Sequence, residues 1–314
     1  FRTITSLGTA LVHRVAIRPI RLFDESTLYF VTNRTTQGRL LLRPSPLINE
    51  TMGGVLVRSL HKYPVKLYAF VFTSNHFHLI LSGRPTVIAR FMSHLQSNIA
   101  RRVGKLVDWP GKFWGRRYSA EPILDEDALV GRLQYIFEHG PKEGLVKRAE
   151  RWPGLTCIPE LAQGKERTFH WFDSSGYQHA KQINPKVTRE AFTTDLPLTL
   201  HPLPCWQALS QSEQRDLARD SLDAANERAL SLGKGKPALG LKKVLEQHPH
   251  TRPAKPKRSP RPYCHASSAS LRRAFIETCK AFLNAYWEAS HAFRHGILTV
   301  EFPPGTFRPS LEPA

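Results

Sequence analysis

Acidic residues are the first shortage. In 314 residues, 26 Asp plus Glu stand against 45 Lys plus Arg, a formal net charge of +19. Folding does not call for such an excess, whereas a polyanionic partner does. Aromatic residues interleaved with the basic ones favour nucleic acid over an acidic membrane surface. Cysteine is also scarce. Cys157, Cys205, Cys264 and Cys279 are far apart and form no CxxC pair, which argues against a disulfide framework or a cysteine zinc site and fits a reducing cytoplasm. No apolar run approaches the ~20 residues that a bilayer span needs, so no membrane partner is expected. No secretory signal is visible at the start, where the first residue is Phe1 rather than Met. No internal repeat is visible, and the length suits one or two domains.

The most informative segment is Phe72-Thr-Ser-Asn75-His76-Phe77-His78-Leu-Ile-Leu81. It reads as a β-strand, and side chains alternate faces along a strand. His76 and His78 therefore point one way and Phe77 the other. Two imidazoles ~7 Å apart on one strand face can converge on one metal ion.

Around it the sequence predicts strands over Leu28–Thr35, Val65–Thr73, His76–Ser82 and Ala120–Leu124, with Ser74-Asn75 as a hairpin turn. Helices are predicted over Pro46–His61, Pro85 to about Val103, and from an Asp125 N-cap to about His139. Gly53-Gly54 weakens the first helix, and Gly140-Pro141 should stop the third. The order β-α-β-β-α-β-α is the α+β, ferredoxin-like plan: an antiparallel sheet with helices on one face and the other face open to a ligand. After Trp152-Pro153-Gly154 the character changes. Residues 1–155 are expected to form the ferredoxin-like domain and 156–314 a mainly helical, basic C-terminal extension. In that extension 155–205 read as irregular. Helices follow over Ser212 to about Leu232, Leu239–Gln247 and Ser267 to about His295, the last with Leu271, Phe275, Phe282, Tyr286 and Phe293 as core residues. The Pro/Lys/Arg-rich stretch 249–262 reads as an extended, solvated linker.

The third helix carries Gln134-Tyr135-Ile136-Phe137-Glu138-His139. Positions four apart share a helix face, so Tyr135 and His139 point together. Were this helix to lie over the open sheet face, His139 could join His76 and His78 as a third ligand, with Tyr135 one turn away. A free phenol is a poor nucleophile, having a pKa of about 10. A divalent metal polarises a phosphodiester and screens it from an incoming oxyanion. Attack by tyrosine would leave a covalent phosphotyrosine and a free 3′-hydroxyl, keeping the phosphoester energy for rejoining. Mg or Mn is usual for such transfer, while three imidazoles also suit Mn, Co, Ni or Zn.

Asn75-His76-Phe77-His78 after an apolar strand resembles the HUH motif of single-tyrosine transposases. Tyr135-Ile-Phe-Glu-His-Gly-Pro-Lys-Glu-Gly-Leu-Val146 resembles the Tyr-Ile-x-x-Asn-Pro-Val-x-x-Gly-Leu-Val signature of their REP-associated branch. Phe113-Trp114, Arg117-Tyr118 and Trp152-Pro153 fit as well, and the resemblance spans about residues 20–155. It implies a metal-dependent single-stranded DNA endonuclease and strand transferase, cytoplasmic and nucleoid-associated. Tyr135 would be its nucleophile, and His76, His78 and His139 would bind the metal. The family's third ligand is usually Asn or Gln, so His139 is a departure that leaves the preferred metal open. The implied substrate is single-stranded DNA with a hairpin, with Arg34, Trp114, Arg116 and Arg117 suited to phosphate contacts and base stacking, and Lys142 a further candidate for a phosphate. Some relatives donate the tyrosine helix to a partner subunit, so a homodimer is open too. The alternative is a domesticated DNA-binding protein without cleavage, which the competent residues at all four positions argue against.

Plainer readings stand beside these. Trp109, Phe113 and Trp114 could equally be core. Tyr118, the rival nucleophile, has no ligand one helical turn after it. Glu138 is expected in solvent, turned from Tyr135 at ~100° per residue of helix. His265 beside Cys264 has no evident acid or base partner. His94, His170, His179, His201, His248, His250, His291 and His295 are expected mostly at the surface.

Overall fold

The computed structural model describes residues 25–233, 237–254 and 262–309. Described residues up to Ile276 form one compact unit, and those from Glu277 on belong to a second.

The first unit is built on four antiparallel strands: β1 (Leu28–Arg34), β2 (Lys66–Phe72), β3 (His76–Ser82) and β4 (Ser119–Ile123), in the order β2-β3-β1-β4. This is the ferredoxin-like arrangement expected from the element order. Helix α1 (Pro46–Lys62) joins β1 to β2, and α2 (Pro85–Leu106) joins β3 to β4. The Ser45 side chain caps α1 by accepting from Ile48 N at 3.2 Å, and proline opens both helices, where its missing N–H costs nothing. Their apolar stripes, including Met52, Leu56, Phe91, Leu95 and Ile99, are fully buried together with Phe77, Leu79 and Leu81 of β3. Alternation along β3 thus sends Phe77 into the main core and leaves His76 and His78 on the opposite face.

That second face is covered by α3 (Glu126–Phe137) and the one-turn helix α4 (His139–Lys142). Asp125 caps α3 as expected, accepting from Ala128 N at 2.8 Å. The helix ends at Phe137, two residues earlier than the sequence suggested, and Gly140-Pro141 lies inside the following turn. Glu138, the link between them, keeps right-handed helical angles (φ −67°, ψ −7°), so the path barely deviates.

Residues 155–205, expected to be irregular, instead form α5 (Ile158–Gln163), α6 (Ser174–Ile183) and the antiparallel pair β5 (Thr168–Phe172) and β6 (Thr193–Pro197). Five-residue strands separated by a helix leave too short an alternation to be legible. Phe169 and Trp171 of β5 turn inward against α1 and α2. Gly53 and Gly54 are what allow this. A methyl group on Gly53 would overlap the Phe169 ring, and one on Gly54 the His170 carbonyl oxygen. The pair read as a helix weakness is a notch into which a strand sinks.

Helices α7 (Gln211–Gly233) and α8 (Leu241–Glu246) complete the unit, with α7 packed on α3, α4 and α5. The chain also extends the sheet at both edges. Phe72 N donates to Leu155 O (2.8 Å) and Cys157 N to Phe70 O (3.1 Å) beside β2, and His265 N donates to Pro122 O (2.8 Å) beside β4. Paired edges offer no template for foreign strands. Of the linker expected over 249–262, residues 255–261 lie outside the described residues. Its start is largely exposed but tethered: Thr251 O accepts from Leu40 N at 3.2 Å, and His250 packs on Trp109.

Helix α9 (Ala269–Arg294) is long, as predicted. Of its five expected core residues only Phe293 is buried, and Leu271 is exposed. An amphipathic stripe is buried only where another element lies against it. Within the second unit the chain after α9 turns back, placing Phe302 against Tyr286 and Phe293.

Candidate metal and nucleophile site

His76 and His78 reach the site because β3 alternates. His139 reaches it because the α3–α4 path keeps a helical trace. Their ligating nitrogens all lie within 4.8 Å of one another, and the three residues are buried. His76 Nε2 and His139 Nε2 approach to 2.5 Å, and the His78 and His139 ring centroids are 4.5 Å apart. The helix over the sheet face therefore brings together the three histidines that the sequence could only align conditionally.

The tautomer of His76 follows from its neighbours. Its Nδ1 lies 2.6 Å from Asn75 Oδ1, whose own amide Nδ2 donates to Gly38 O at 2.9 Å. An acceptor-only oxygen requires the hydrogen on Nδ1, so Nε2 turns its lone pair toward His139. The two ring nitrogens of His78 are buried and have no hydrogen-bond partner among the described residues. Burial first, then the charges of His139, His76, Arg34 and Arg132, hold His78 well below the usual histidine value of 6.5. A buried, neutral, unsatisfied imidazole costs stability unless something accepts its lone pair. Three convergent, buried imidazoles fit a divalent cation, and the cluster could hold one.

Tyr135 stands beside the triad in the same chain. Its ring centroid is 5.3 Å from that of His78 and 5.2 Å from that of His139. Phe30 of β1 floors the site, stacked on His78 at 4.9 Å and edge-on to Tyr135 at 5.8 Å. Burial raises the Tyr135 phenol above its ordinary 10.0, Arg132 pulls it down, and Glu143 and Glu138 add to the rise.

The other anticipated residues scatter. Arg34 pairs in register with His76 and shares its face. The loop carrying Arg116 and Arg117 docks on the end of β1 through Gly115 N→Arg34 O (2.9 Å), and both arginines are exposed. Lys142 Nζ lies 4.2 Å from the Tyr135 ring centroid. Trp114 sits away from the triad: it packs edge-on to Phe77, on the other sheet face, and its Nε1 donates to Gln96 O at 2.9 Å. Phe113 and Tyr118 are buried.

Three readings need correcting. Glu138 is not solvated: it is 2% exposed, bonded to Lys142 at 2.7 Å and 3.8 Å from Arg228 of α7. A neighbour 75 or more residues downstream is invisible to helical-wheel reasoning. His265 does have an acidic partner, Glu121, at 3.0 Å, and Glu121 also accepts from Ser119 Oγ at 2.8 Å. This pair lies on the triad's sheet face, with His265 edge-on to Phe30 at 5.3 Å. His94 is half-buried between α1 and α2, its Nδ1 2.8 Å from Ser59 Oγ. Arg132 was missed altogether. Its guanidinium carbon lies 4.8 Å from the Tyr135 ring centroid and 5.7 Å from that of Phe30, and its place one turn before Tyr135 was the available signal.

Residues 36–139 match the family model described as "Transposase IS200 like". The match takes in His76, His78 and Tyr135, ends on His139, and supports the family resemblance drawn from the motifs. Among solved structures, a REP-associated tyrosine transposase bound to a REP hairpin aligns at 16% identity and TM-score 0.40, over 47% of this chain and 86% of that one. A Deinococcus radiodurans R1 protein assigned as a transposase aligns at 20% identity and TM-score 0.28, over 38% of this chain and 95% of that one. No curated protein matches significantly. No helix among the described residues is long and apolar enough to cross a membrane.

Proposed function

We propose that this chain, which carries the IS200-like transposase match over residues 36–139, is a metal-dependent single-stranded DNA endonuclease and strand transferase. The observation that carries the reading is the meeting of the Tyr135 ring with a buried three-histidine cluster in one protomer.

His76, His78 and His139 would hold a divalent ion, Mg or Mn or another first-row metal, which when bound polarises the scissile phosphate and screens its charge. Tyr135 Oη forms a bond to phosphorus while the bond from phosphorus to the 3′-oxygen breaks. The phenol proton passes to solvent, and the departing oxygen takes up a proton to become a 3′-hydroxyl. The 5′-phosphate stays on Tyr135 as a phosphotyrosine, and a 3′-hydroxyl attacking it restores a phosphodiester. Arg34, Arg116, Arg117 and Lys142 supply cations for the DNA backbone; Trp114, packed on Phe77 on the other sheet face, belongs with the core rather than serving as a stacking platform.

The substrate is single-stranded DNA carrying a hairpin, met in the cytoplasm at the nucleoid. The site is complete within one chain, so a homodimer is not required for cleavage. Residues 1–155 act as the catalytic domain, braced by α7 and the β5–β6 pair of the segment that follows.

The test is incubation of a labelled hairpin oligonucleotide with protein and Mn, followed by a denaturing gel. A shifted adduct that disappears in Tyr135→Phe is expected. An adduct retained in that variant, or none in the wild type with any divalent metal, would overturn the proposal.

A further inference from the structure

Arg132 is a half-buried cation with no bonded counter-ion among the described residues. Its guanidinium makes no hydrogen bond and no ion pair among the described residues, only contacts with the Tyr135 and Phe30 rings. Neither of the two carboxylates whose charge it feels most is bonded to it. Glu138 gives Oε1 to Lys142 and turns Oε2 toward Arg228 at 3.8 Å, and Glu121 is bonded to His265 and Ser119. Burial works against its charge. A guanidinium kept partly dry without a counter-ion is expensive unless an anion arrives. Its planar fork suits two phosphate oxygens.

We propose that Arg132 is a catalytic residue that binds the non-bridging oxygens of the scissile phosphate as Tyr135 attacks. It stands one turn before Tyr135 on α3 and above Phe30, so it meets the phosphate from the side of the nucleophile, across from the β3 strand that carries His76 and His78. The inference rests on the reading of Tyr135 as nucleophile. It adds a protein-borne positive charge where negative charge builds up, a contribution that preorganised donors commonly supply.

The experiment compares wild type, Arg132→Gln and Arg132→Lys for the rate of adduct formation with Mn. One hairpin carries an ordinary scissile phosphodiester and the other a methylphosphonate, which removes the anionic oxygen. Thermal melts and equilibrium metal binding are run on each variant; metal binding should match wild type, and the melting midpoint of Arg132→Gln should not fall below it, since an unpaired, partly dry charge is removed. On the phosphodiester, Arg132→Gln should slow adduct formation by ~10²–10³-fold, with Arg132→Lys in between. On the methylphosphonate the gap between wild type and Arg132→Gln should close to within ~10-fold, because the charge that the guanidinium answers is gone. A rate within ~3-fold of wild type on the phosphodiester, or the same factor lost on both substrates, overturns the role of Arg132 while leaving Tyr135 in place. A wild type that makes no adduct sinks the nucleophile and this role together.

Discussion

Replacing glycine by alanine inside a helix ordinarily stabilises it, by ~0.5–1 kcal/mol. Two such changes in this protein should have opposite signs. Gly131 lies within α3, and a methyl group there meets nothing within 4 Å. Gly131→Ala should therefore gain roughly the full 0.5–1 kcal/mol. Gly54 lies within α1, where the added methyl group would meet the backbone carbonyl of His170. A carbonyl in a paired strand cannot rotate aside, so β5 must move off the helix. Overpacking of this kind costs ~1–3 kcal/mol or more, and part of the packing of Phe169 and Trp171 goes with it. Set against the helical gain of at most ~1 kcal/mol, overpacking leaves a net loss of up to ~2 kcal/mol for Gly54→Ala, to which the lost packing of Phe169 and Trp171 adds. Urea unfolding at fixed pH, read by tryptophan fluorescence, measures both. The midpoint should rise for Gly131→Ala and fall for Gly54→Ala. A stabilised Gly54→Ala variant would show that β5 does not sit in the glycine notch, and the docking of residues 155–205 on α1 would be refuted.

Glu138→Gln should lower stability by ~1–3 kcal/mol, less than a fully buried pair because Lys142 is 31% exposed; a double-mutant cycle with Arg228→Gln showing no coupling would contradict the clamp between α7 and α4. With a chelator present, unfolding midpoints should fall on acidification below about 6.5. His78 is held below its unfolded value, so the unfolded state binds more protons in that window and stability rises with pH. His94, lowered mainly by burial, adds to the same trend. A flat profile between pH 5 and about 7 would deny the desolvation of both imidazoles. Asn75→Ala should weaken metal binding by ~10-fold, since it removes one of the two partners of His76 Nδ1 and leaves Thr73 Oγ1 at 2.8 Å; isothermal titration that finds unchanged affinity would remove Asn75 from the site.

The legible parts were those set by local rules. Alternation placed His76 and His78 on one face, the N-cap at Asp125 started α3, and the four-residue offset aligned Tyr135 with His139. What stayed hidden depends on distant partners. Gly53-Gly54 looks like a flaw until β5 lies across it. Glu138 looks like a surface carboxylate until Arg228 arrives from α7, and His265 looks idle until its segment pairs beside β4 and meets Glu121. Arg132 was hidden differently. An arginine on an amphipathic helix is ordinarily solvated, and only its place over Phe30 and Tyr135 marks it.

The most direct measurement is peptide mapping of the protein after reaction with a hairpin oligonucleotide and a divalent metal, followed by nuclease trimming. The account predicts a nucleotide attached through its 5′-phosphate to the peptide containing Tyr135, absent when His78 is replaced by alanine. A nucleotide found on Tyr118 or any other residue, or an unmodified Tyr135 peptide alongside cleaved DNA, would contradict it.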